Sequence, residues 1–509
     1  MGIPSYFRRL LQAYPACRSR SLGTGQQPAA LYFDFNCLIY RCIRAPGMIP
    51  YPGDLAGDDP VTVWRDALWA EIRRTVKEVW AAAGRPREVL LAVDGVVPMA
   101  KIRQQRVRRF KSAWLRTVAA VETNAWDQNA ITPGTDFMER LGVMLKEMCR
   151  QEGAGWSVSG ADEPGEGEHK IMARLRGFPS ARGLTVVYGL DADLILLCML
   201  TEAKTGTPLM LIRETQEFEG SRGKGGADAA APGSYTFLNI GEVRRRLGLT
   251  TEESVVNYVG LMSLMGNDFL PHSLTYKLND DGHEAVLEVM RGAPLVIRKD
   301  DRWVIDVARF KEICVGWASD EQLRFIQMIQ KKKLQARRGV GKGMDESEAL
   351  PLTWNVEAVF EDNGQLRADW RDTYWSFIHT EADRTALCHE YVRGLQWILD
   401  YYTGRPIDLQ WLFPAWIPPL WADFAGVDEV SLEIVGAGIA PIQPQEQLAM
   451  VLPVESWGLI RDRRLRSAPR AAPQFWPRTF GFFSFGRTWL WQCEARVPVL
   501  MVERLRALR

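Results

Sequence analysis

The 509-residue sequence contains 63 Lys and Arg against 62 Asp and Glu, and 47% of its residues are hydrophobic. This composition excludes a mainly disordered chain, and the length allows two or three domains. Because the opposite charges balance, net charge predicts neither a nucleic acid nor a membrane as a partner. Only local clusters of charge can indicate partners.

The cysteines and the apolar runs indicate an intracellular protein of the cytoplasm or nucleus. The eight cysteines are scattered without a CxxC pair, as expected of reduced thiols. Pro4 and two arginines interrupt the N-terminal segment before a secretory apolar run could form. No stretch approaches the roughly eighteen apolar residues of a membrane span, so we expect no membrane partner.

Short apolar runs alternate with longer amphipathic stretches over residues 30–275. This pattern predicts the α/β class, with βαβ units around a largely parallel sheet flanked by helices. Three predicted strands lead into the acids Asp34, Asp94 and Asp191. The carboxyl ends of parallel strands form the ligand crevice, so these acids could meet there. A role as the N-cap of the following helix explains the position of any one of these acids equally well. It explains less well why all three strands end in an acid.

Further acids occur in closely spaced pairs. Glu166 and Glu168 are separated by one glycine, Asp193 follows Asp191 at the same spacing, and Asp268 lies in an apolar setting. So many carboxylates in one crevice would resist ionisation unless cations neutralised them. Oxygen ligands suit Mg²⁺ or Mn²⁺, and two ions about 4 Å apart are typical of phosphodiester hydrolysis. A single acid pair is also common on solvated loops.

A basic segment follows Asp94 directly. Residues 101–116 (KIRQQRVRRFKSAWLR) contain seven basic residues and no acid. In a helix, one face would carry Lys101, Gln105, Arg108 and Arg109. This face suits a terminal phosphate, because Arg offers paired hydrogen bonds. A solvated basic face is the alternative, and the position beside an acid-tipped strand favours phosphate binding.

Two later segments are predicted to be irregular. Residues 219–234 are rich in Gly and Ala and predict a surface loop. A basic run from Lys331 to about Glu348 predicts a linker, with contact to nucleic acid as the alternative. The chain beyond it is dense in aromatic residues and predicts a helical layer packed on the first domain.

The motifs resemble those of the Xrn-type 5′→3′ exoribonuclease family. In chain order the matching segments are MGIPSYFRRLLQAYP, FDFN, VDGVVPMAKIRQQRVRRFKSA, WDQNAITPGTDFM, PGEGEHKIM, YGLDADLILL and GNDFLPH. The likeness continues in YVRGLQWILDYYTG, WLFP, EQLAMVLP and the stretch from FWPRTF to MVERLRAL. It covers nearly the whole chain and is least secure over residues 272–350. It implies a short form without the long C-terminal extension of larger relatives.

The resemblance implies a PIN-like 5′ nuclease fold with a mainly helical second conserved region packed on it. The expected domains are residues 1–275, a variable connection over residues 276–350, and the second region over residues 351–509. Catalytic metals, two Mg²⁺ or Mn²⁺ ions, would be held by Asp34, Asp94, Glu166, Glu168, Asp191, Asp193 and Asp268. A 5′-monophosphate would be bound by Lys101, Gln105, Arg108 and Arg109.

One position departs from the family pattern. The family usually has a His that stacks on the first base against a Trp, whereas this sequence has Tyr40, with Trp411 as the candidate partner. Tyr can stack on a base as His does. His169, although near the acids, is expected to make a structural hydrogen bond.

The resemblance implies processive 5′→3′ degradation of single-stranded RNA with a 5′-monophosphate to mononucleotides, by a monomer. Two alternatives are a structure-specific 5′ nuclease acting on DNA and an inactive protein that holds RNA ends. The presence of all seven acids disfavours the inactive protein, and the motifs of the second half disfavour the DNA nuclease.

Overall fold

The computed structural model describes residues 6–23, 25–53, 58–118, 126–177, 183–215, 234–278, 280–337, 359–377, 383–428, 430–433, 440–485, 487 and 490–509. None of the helices in these ranges is both long and apolar enough to cross a membrane. All eight cysteines are free thiols, as the sequence predicts.

A seven-stranded sheet forms the centre of the first part of the chain. Its strands are β1 (Arg18–Ser19), β2 (Ala30–Asp34), β3 (Glu88–Ala92), β4 (Trp156–Ser159), β5 (Thr185–Tyr188), β6 (Leu209–Glu214) and β7 (Tyr235–Asn239). Their order is β1-β7-β6-β5-β2-β3-β4. The pairs β2–β3, β3–β4, β2–β5 and β5–β6 are parallel. β7 is antiparallel to β6 and to β1. The predicted, largely parallel sheet is confirmed.

Helices cover both faces of this sheet, because parallel neighbours need long crossover connections. They are α1 (Tyr6–Ala13), α2 (Asn36–Ile43), α3 (Asp58–Ala82), α4 (Met99–Val118), α5 (Asp136–Glu152), α6 (Gly167–Gly177), α7 (Asp193–Thr205), α8 (Ile240–Arg246) and α9 (Glu252–Ser263). Every residue of β2 is buried. Leu31 and Phe33 pack with α3 and α5, whereas Tyr32 packs on the other face with α6, α7 and α9.

The later part of the chain is mainly helical and packs on the first part. It contains α10 (Gly282–Val289), β8 (Val296–Lys299), β9 (Arg302–Ile305), α11 (Val307–Arg337), α12 (Trp370–Ser376), α13 (Arg384–Thr403), α14 (Pro444–Val451), α15 (Ala468–Ala471), β10 (Phe482–Phe483), β11 (Glu494–Ala495) and α16 (Val502–Arg506). Short 3-10 helices lie at Pro15–Cys17, Gln128–Ala130, Trp421–Gly426, Val454–Leu459, Pro473–Phe475 and Leu490–Gln492. α13 contacts α7 and α9, and α14 contacts α4. The predicted helical layer is confirmed.

The linker predicted from Lys331 is wrong at its start. α11 continues without a break to Arg337, because residues 331–337 contain neither Gly nor Pro and consist mostly of good helix formers. The rest of that segment lies outside the described residues, as does the Gly-rich segment 219–234 apart from Ser234.

Candidate active site

The structure brings the seven predicted acids to one edge of the sheet. Asp34 ends β2, and Asp94 and Asp191 follow β3 and β5. Three more acids lie at the first turns of α6 and α7, namely Glu166, Glu168 and Asp193. Asp268 follows α9 and is joined to the others through the Lys101 ammonium. The sequence prediction of a common crevice therefore matches the arrangement of these elements.

Asp94 is fixed by two donors from neighbouring elements. Its Oδ2 accepts a hydrogen bond of 2.9 Å from the Asn36 amide, and its Oδ1 accepts one of 2.7 Å from the Gly167 N–H at the start of α6. A side chain at position 167 would not fit, since its Cβ would lie 2.8 Å from Asp34 Oδ1 and 2.7 Å from the Ala92 carbonyl oxygen. The glycine between the paired glutamates thus lets α6 start directly on the acids.

Glu166 and Asp268 share one cation. Lys101 Nζ lies 2.5 Å from Glu166 Oε2 and 2.8 Å from Asp268 Oδ2. The other oxygen of Glu166 accepts a hydrogen bond of 2.8 Å from the Tyr401 hydroxyl on α13. The second region of the chain therefore supplies part of the acidic site. Lys101, predicted to bind a phosphate, is here engaged with the acids.

Burial and mutual repulsion raise the pKa of most of these acids. The pKa values of Asp34 and Glu168 are well above their usual range because both are buried and face other carboxylates. Burial, with repulsion from Asp191 and Asp268, raises the pKa of Asp193 to about 7. Burial acts to raise the pKa of Asp268 as well, but nearby positive charge and a hydrogen bond from Lys101 together lower it. The site holds more negative charge than Lys101 alone can balance.

Several buried polar atoms at the site have no hydrogen-bond partner among the described residues. They are Glu168 Oε2, Asp193 Oδ1 and His169 Nε2. Oxygen or nitrogen atoms of Glu166, Glu168 and His169 lie within 4.8 Å of one another, close enough to hold one ion. Unpaired buried carboxylate oxygens are costly unless a cation satisfies them. The donor set therefore fits a divalent metal ion.

His169 does not make the expected structural hydrogen bond through Nε2. Its ring stacks on Tyr401 with centroids 3.7 Å apart and planes at 21°. Burial lowers the pKa of this imidazole well below its usual value, so the ring is neutral. One of its ring nitrogens lies within 4.8 Å of carboxylate oxygens of Glu166 and Glu168.

Helix α4 carries the predicted phosphate-binding residues. The side chains of Gln105 and Arg109 are 9% and 8% exposed. Gln105 Oε1 and Arg109 Nη1 are buried and have no hydrogen-bond partner in the part of the chain that the structure describes. Burial lowers the pKa of Arg109 to about 10. Arg108 is exposed. Gln105 and Arg109 thus offer polar groups in a buried position, while Arg108 lies at the surface.

Other basic residues of α4, to which the sequence assigned no role, bind the second region. Arg103 donates to the carbonyl oxygens of Phe413 and Ala415, and Lys111 donates to that of Cys493. Arg106 is 2% exposed and donates to the carbonyl oxygens of Pro498, Met450 and Phe475. These three cations attach α4 to the second region.

Tyr40 and Trp411 lie on different elements. Tyr40 is half-buried on α2, and its phenol interacts electrostatically with Arg109. Trp411 is 9% exposed, and its ring stacks on Trp397 at 5.1 Å. Leu409, two residues earlier, accepts a hydrogen bond of 2.8 Å from the first residue of α4. Among the described residues no ring contact joins Tyr40 to Trp411.

Comparison with known proteins agrees with the motif order. Residues 1–215 match the family description "XRN 5'-3' exonuclease N-terminus", and residues 367–508 match "Xrn1 helical domain". Human 5'-3' exoribonuclease 1 is 26% identical over 99% of this chain. The chain belongs to the Xrn-type 5′→3′ exoribonuclease family. The predicted family resemblance is confirmed.

The Xrn-type chain aligns along almost its whole length with further relatives. Arabidopsis thaliana 5'-3' exoribonuclease 2 is 23% identical over 99% of the chain. The Drosophila melanogaster homolog of exoribonuclease 2 is 26% identical over the same share. The chain spans 34% of the human relative, 66% of the Arabidopsis relative and 70% of the Drosophila one.

Solved structures show only a weak likeness to this Xrn-type protein. The catalytic core of Rad2 in complex with DNA substrate is 14% identical, with a TM-score of 0.31, over 67% of this chain and 81% of that one. Human GEN1 in complex with Holliday junction DNA is 15% identical, with a TM-score of 0.29, over 69% of this chain and 83% of that one.

Sequence reasoning missed two residues that shape the site of this Xrn-type protein. Asn36 exchanges hydrogen bonds with Asp94, accepting from its N–H at 3.2 Å and donating to its carboxylate. It lies inside the FDFN motif, two residues after Asp34, so a search for amides beside the acids could have found it. Tyr401 has no such local signal, because it lies 235 residues from Glu166 in the chain.

Proposed function

We propose that this protein is a 5′→3′ exoribonuclease that hydrolyses single-stranded RNA bearing a 5′-monophosphate and releases mononucleotides. One observation carries the proposal. The same helix, α4, contributes Lys101 to the buried acidic cluster and, one and two turns later, the unpartnered polar atoms of Gln105 and Arg109. Such an arrangement suits a substrate whose terminal phosphate lies close to the bond that is cut.

The phosphate would be bound by Gln105, Arg108 and Arg109. The Arg109 guanidinium is buried, charged at neutral pH and lacks a partner for Nη1. A phosphate group offers the matching acceptor oxygens, and hydrogen bonds to charged groups are the stronger ones. Lys101 keeps Glu166 and Asp268 in place. A buried pocket would also exclude bulkier 5′ ends.

Divalent cations would be held by the seven acids. Glu168 and Asp193 supply the unpartnered buried oxygens, while Asp34, Asp94, Glu166, Asp191 and Asp268 complete the oxygen-rich set. When bound, Mg²⁺ or Mn²⁺, expected as two ions, would neutralise the acids and lend Lewis-acid assistance to phosphodiester hydrolysis. Asn36 and Tyr401 orient Asp94 and Glu166, so that these carboxylates are positioned before substrate arrives.

The first base would stack on Tyr40 and Trp411. Tyr40 lies beside Arg109, and the loop of Trp411 adjoins the start of α4. Stacking of a base on an aromatic ring contributes about 1 to 3 kcal/mol and tolerates any base. After each cut, the shortened strand carries a new 5′-monophosphate that can occupy the same pocket, and this supports processive degradation.

The organisation and location of the protein also remain proposals. We propose a nuclease domain over residues 1–275, a connection over 276–350 and a second region over 351–509. The family matches to residues 1–215 and 367–508 support a division into two conserved regions. Eight free cysteines support an intracellular location, in cytoplasm or nucleus. Action as a monomer remains a prediction.

The test is a time course on one 3′-labelled single-stranded RNA with a 5′-monophosphate, a 5′-hydroxyl or a 5′-triphosphate, with Mg²⁺. We expect loss of the monophosphate RNA with few intermediates and little loss of the other two. A catalytic variant, Asp193→Asn, should abolish the loss. Its matched control is Asp301→Asn, an exposed residue of the β8–β9 hairpin.

Four outcomes would overturn the proposal. Equal loss of all three RNAs, or internal fragments, would indicate an endonuclease. Faster cleavage of a matched DNA would indicate a DNA nuclease, an alternative that the names of the relatives do not favour. RNA loss that persists in Asp193→Asn would indicate a contaminating activity, and tight RNA-end binding without cleavage would indicate an inactive protein.

A further inference from the structure

A strongly basic surface lies outside the candidate active site, in the second region. Residues 461–478 contain six arginines and one aspartate, a net charge of +5 in a chain whose total is +1. Four of these arginines are exposed and form no ion pair within the described chain; we call them the arginine patch: Arg463, Arg466, Arg470 and Arg478.

The two remaining arginines of this segment are already engaged. Arg461 pairs with Glu139 on α5, its Nη1 lying 2.8 Å from Oε2, and Arg464 pairs with Asp462. Within the arginine patch, Arg463, Arg470 and Arg478 make no side-chain hydrogen bond with the described residues. Exposed cations usually lie among acids of opposite charge, whereas here the positive charge of the patch is left to solvent.

The segment that carries the patch packs against the rest of the fold. Leu465 and Ala468 are fully buried between the arginines, and Trp476 is 3% exposed. The Phe475 carbonyl accepts a hydrogen bond from Arg106 on α4. The segment is thereby attached to α4, the helix that carries Gln105 and Arg109. Both the arginine patch and the candidate phosphate-binding residues are therefore connected to α4.

We propose that the arginine patch is a second RNA-binding surface, which holds phosphates of the substrate away from the bond that is cut. This inference rests on the proposed function in so far as the ligand is RNA. Arg pairs readily with phosphate oxygens and needs no particular base. A surface that grips the backbone independently of the 5′ end would keep the RNA near the pocket between successive cuts.

Salt dependence gives the size of the effect. For a single strand, the logarithm of the binding constant falls with the logarithm of salt concentration by about 0.7 for each phosphate contact. Replacing three arginines should therefore lower the slope by about 2. We take 1 M salt as the concentration at which these phosphate contacts no longer contribute to binding. With this reference, the same relation gives a loss of affinity of about 100-fold at 0.1 M salt.

The test is fluorescence anisotropy with a labelled 5′-hydroxyl single-stranded RNA in EDTA, where neither cleavage nor the monophosphate pocket contributes. The wild-type protein is compared with Arg463→Gln/Arg470→Gln/Arg478→Gln. A matched control, Arg8→Gln/Arg87→Gln/Lys204→Gln, removes the same charge from exposed positions elsewhere. The variant Arg463→Lys/Arg470→Lys/Arg478→Lys keeps the charge of the patch and should retain most of the salt dependence of binding. Circular dichroism confirms that each variant is folded.

We expect only the patch glutamine variant to lose affinity and slope. Equal losses in the control variant would mean that general charge, and not the patch, binds RNA, and unchanged binding in the patch variant would also overturn the proposal. If polyglutamate competed with RNA as well as unlabelled RNA does, the surface would be assigned to an acidic protein instead. The anisotropy assay requires no catalysis, so its result can be interpreted even if the nuclease assay shows no activity.

Discussion

Replacing Arg109 by methionine should stabilise the fold and impair recognition of the 5′-monophosphate. Burial lowers the pKa of Arg109 from 12.5 to about 10. At ~1.4 kcal/mol for each tenfold change in proton affinity, this corresponds to a cost of about 3 kcal/mol. The guanidinium is charged at pH 7 in both the folded and the unfolded chain, so the folded state bears this cost. Methionine would remove the charge and keep most of the apolar stem.

Arg106, on the same helix, provides the matched comparison. Burial lowers its pKa to about 9, which by the same arithmetic represents roughly 5 kcal/mol. However, its guanidinium donates to three carbonyl oxygens. Hydrogen bonds to a charged group contribute ~1.5–3 kcal/mol each, and the carbonyls would be left without donors. Arg106→Met should therefore destabilise the protein by about 2 kcal/mol or more.

Urea unfolding at pH 7, followed by tryptophan fluorescence, measures both effects. We expect the free energy of unfolding to rise by about 1 to 3 kcal/mol in Arg109→Met and to fall in Arg106→Met. Adenosine 5′-monophosphate should stabilise the wild type in proportion to its binding, and should stabilise Arg109→Met much less. If Arg109→Met were instead clearly less stable than the wild type, Arg109 would have a structural partner and the pocket assignment would be refuted.

Three further predictions concern the acidic site and helix α11. Tyr401→Phe removes the hydrogen-bond donor to Glu166 and should lower kcat about 10-fold in a single-turnover assay. The control Tyr402→Phe should have little effect, because the Tyr402 hydroxyl has no partner among the described residues. Gly167→Ala places a methyl against backbone and carboxylate oxygens, and should cost ~1–3 kcal/mol of unfolding free energy and nearly all activity. Gly177→Ala, at the open end of the same helix, should be tolerated in both assays. Burial raises the pKa of Glu321 to about 7. The stability that its protonated form contributes is therefore fully present below pH 4.5 and is lost as the pH rises through 7, which lowers the free energy of unfolding by about 3 kcal/mol. Urea unfolding of Glu321→Gln at several pH values should not show this decline.

The positions of the acids could be read from the sequence because strand ends are local features. An apolar run followed by an acid predicts where a parallel strand ends, and parallel order then gathers Asp34, Asp94 and Asp191 at one edge. The helix around residues 101–116 could likewise be predicted, together with the face that carries Gln105 and Arg109. These inferences need only local periodicity, and the structure agrees with them.

What the tertiary structure alone decided is which group meets which across long chain separations. Helical periodicity gives the face of a residue but not the element packed against it, so Lys101 looked like a phosphate ligand until its ammonium was found between Glu166 and Asp268. Periodicity also left Arg106 without an assigned role. Only the tertiary structure shows that carbonyl oxygens of the second region, hundreds of residues away in the chain, accept from its guanidinium, whereas Arg109 Nη1 has no partner among the described residues.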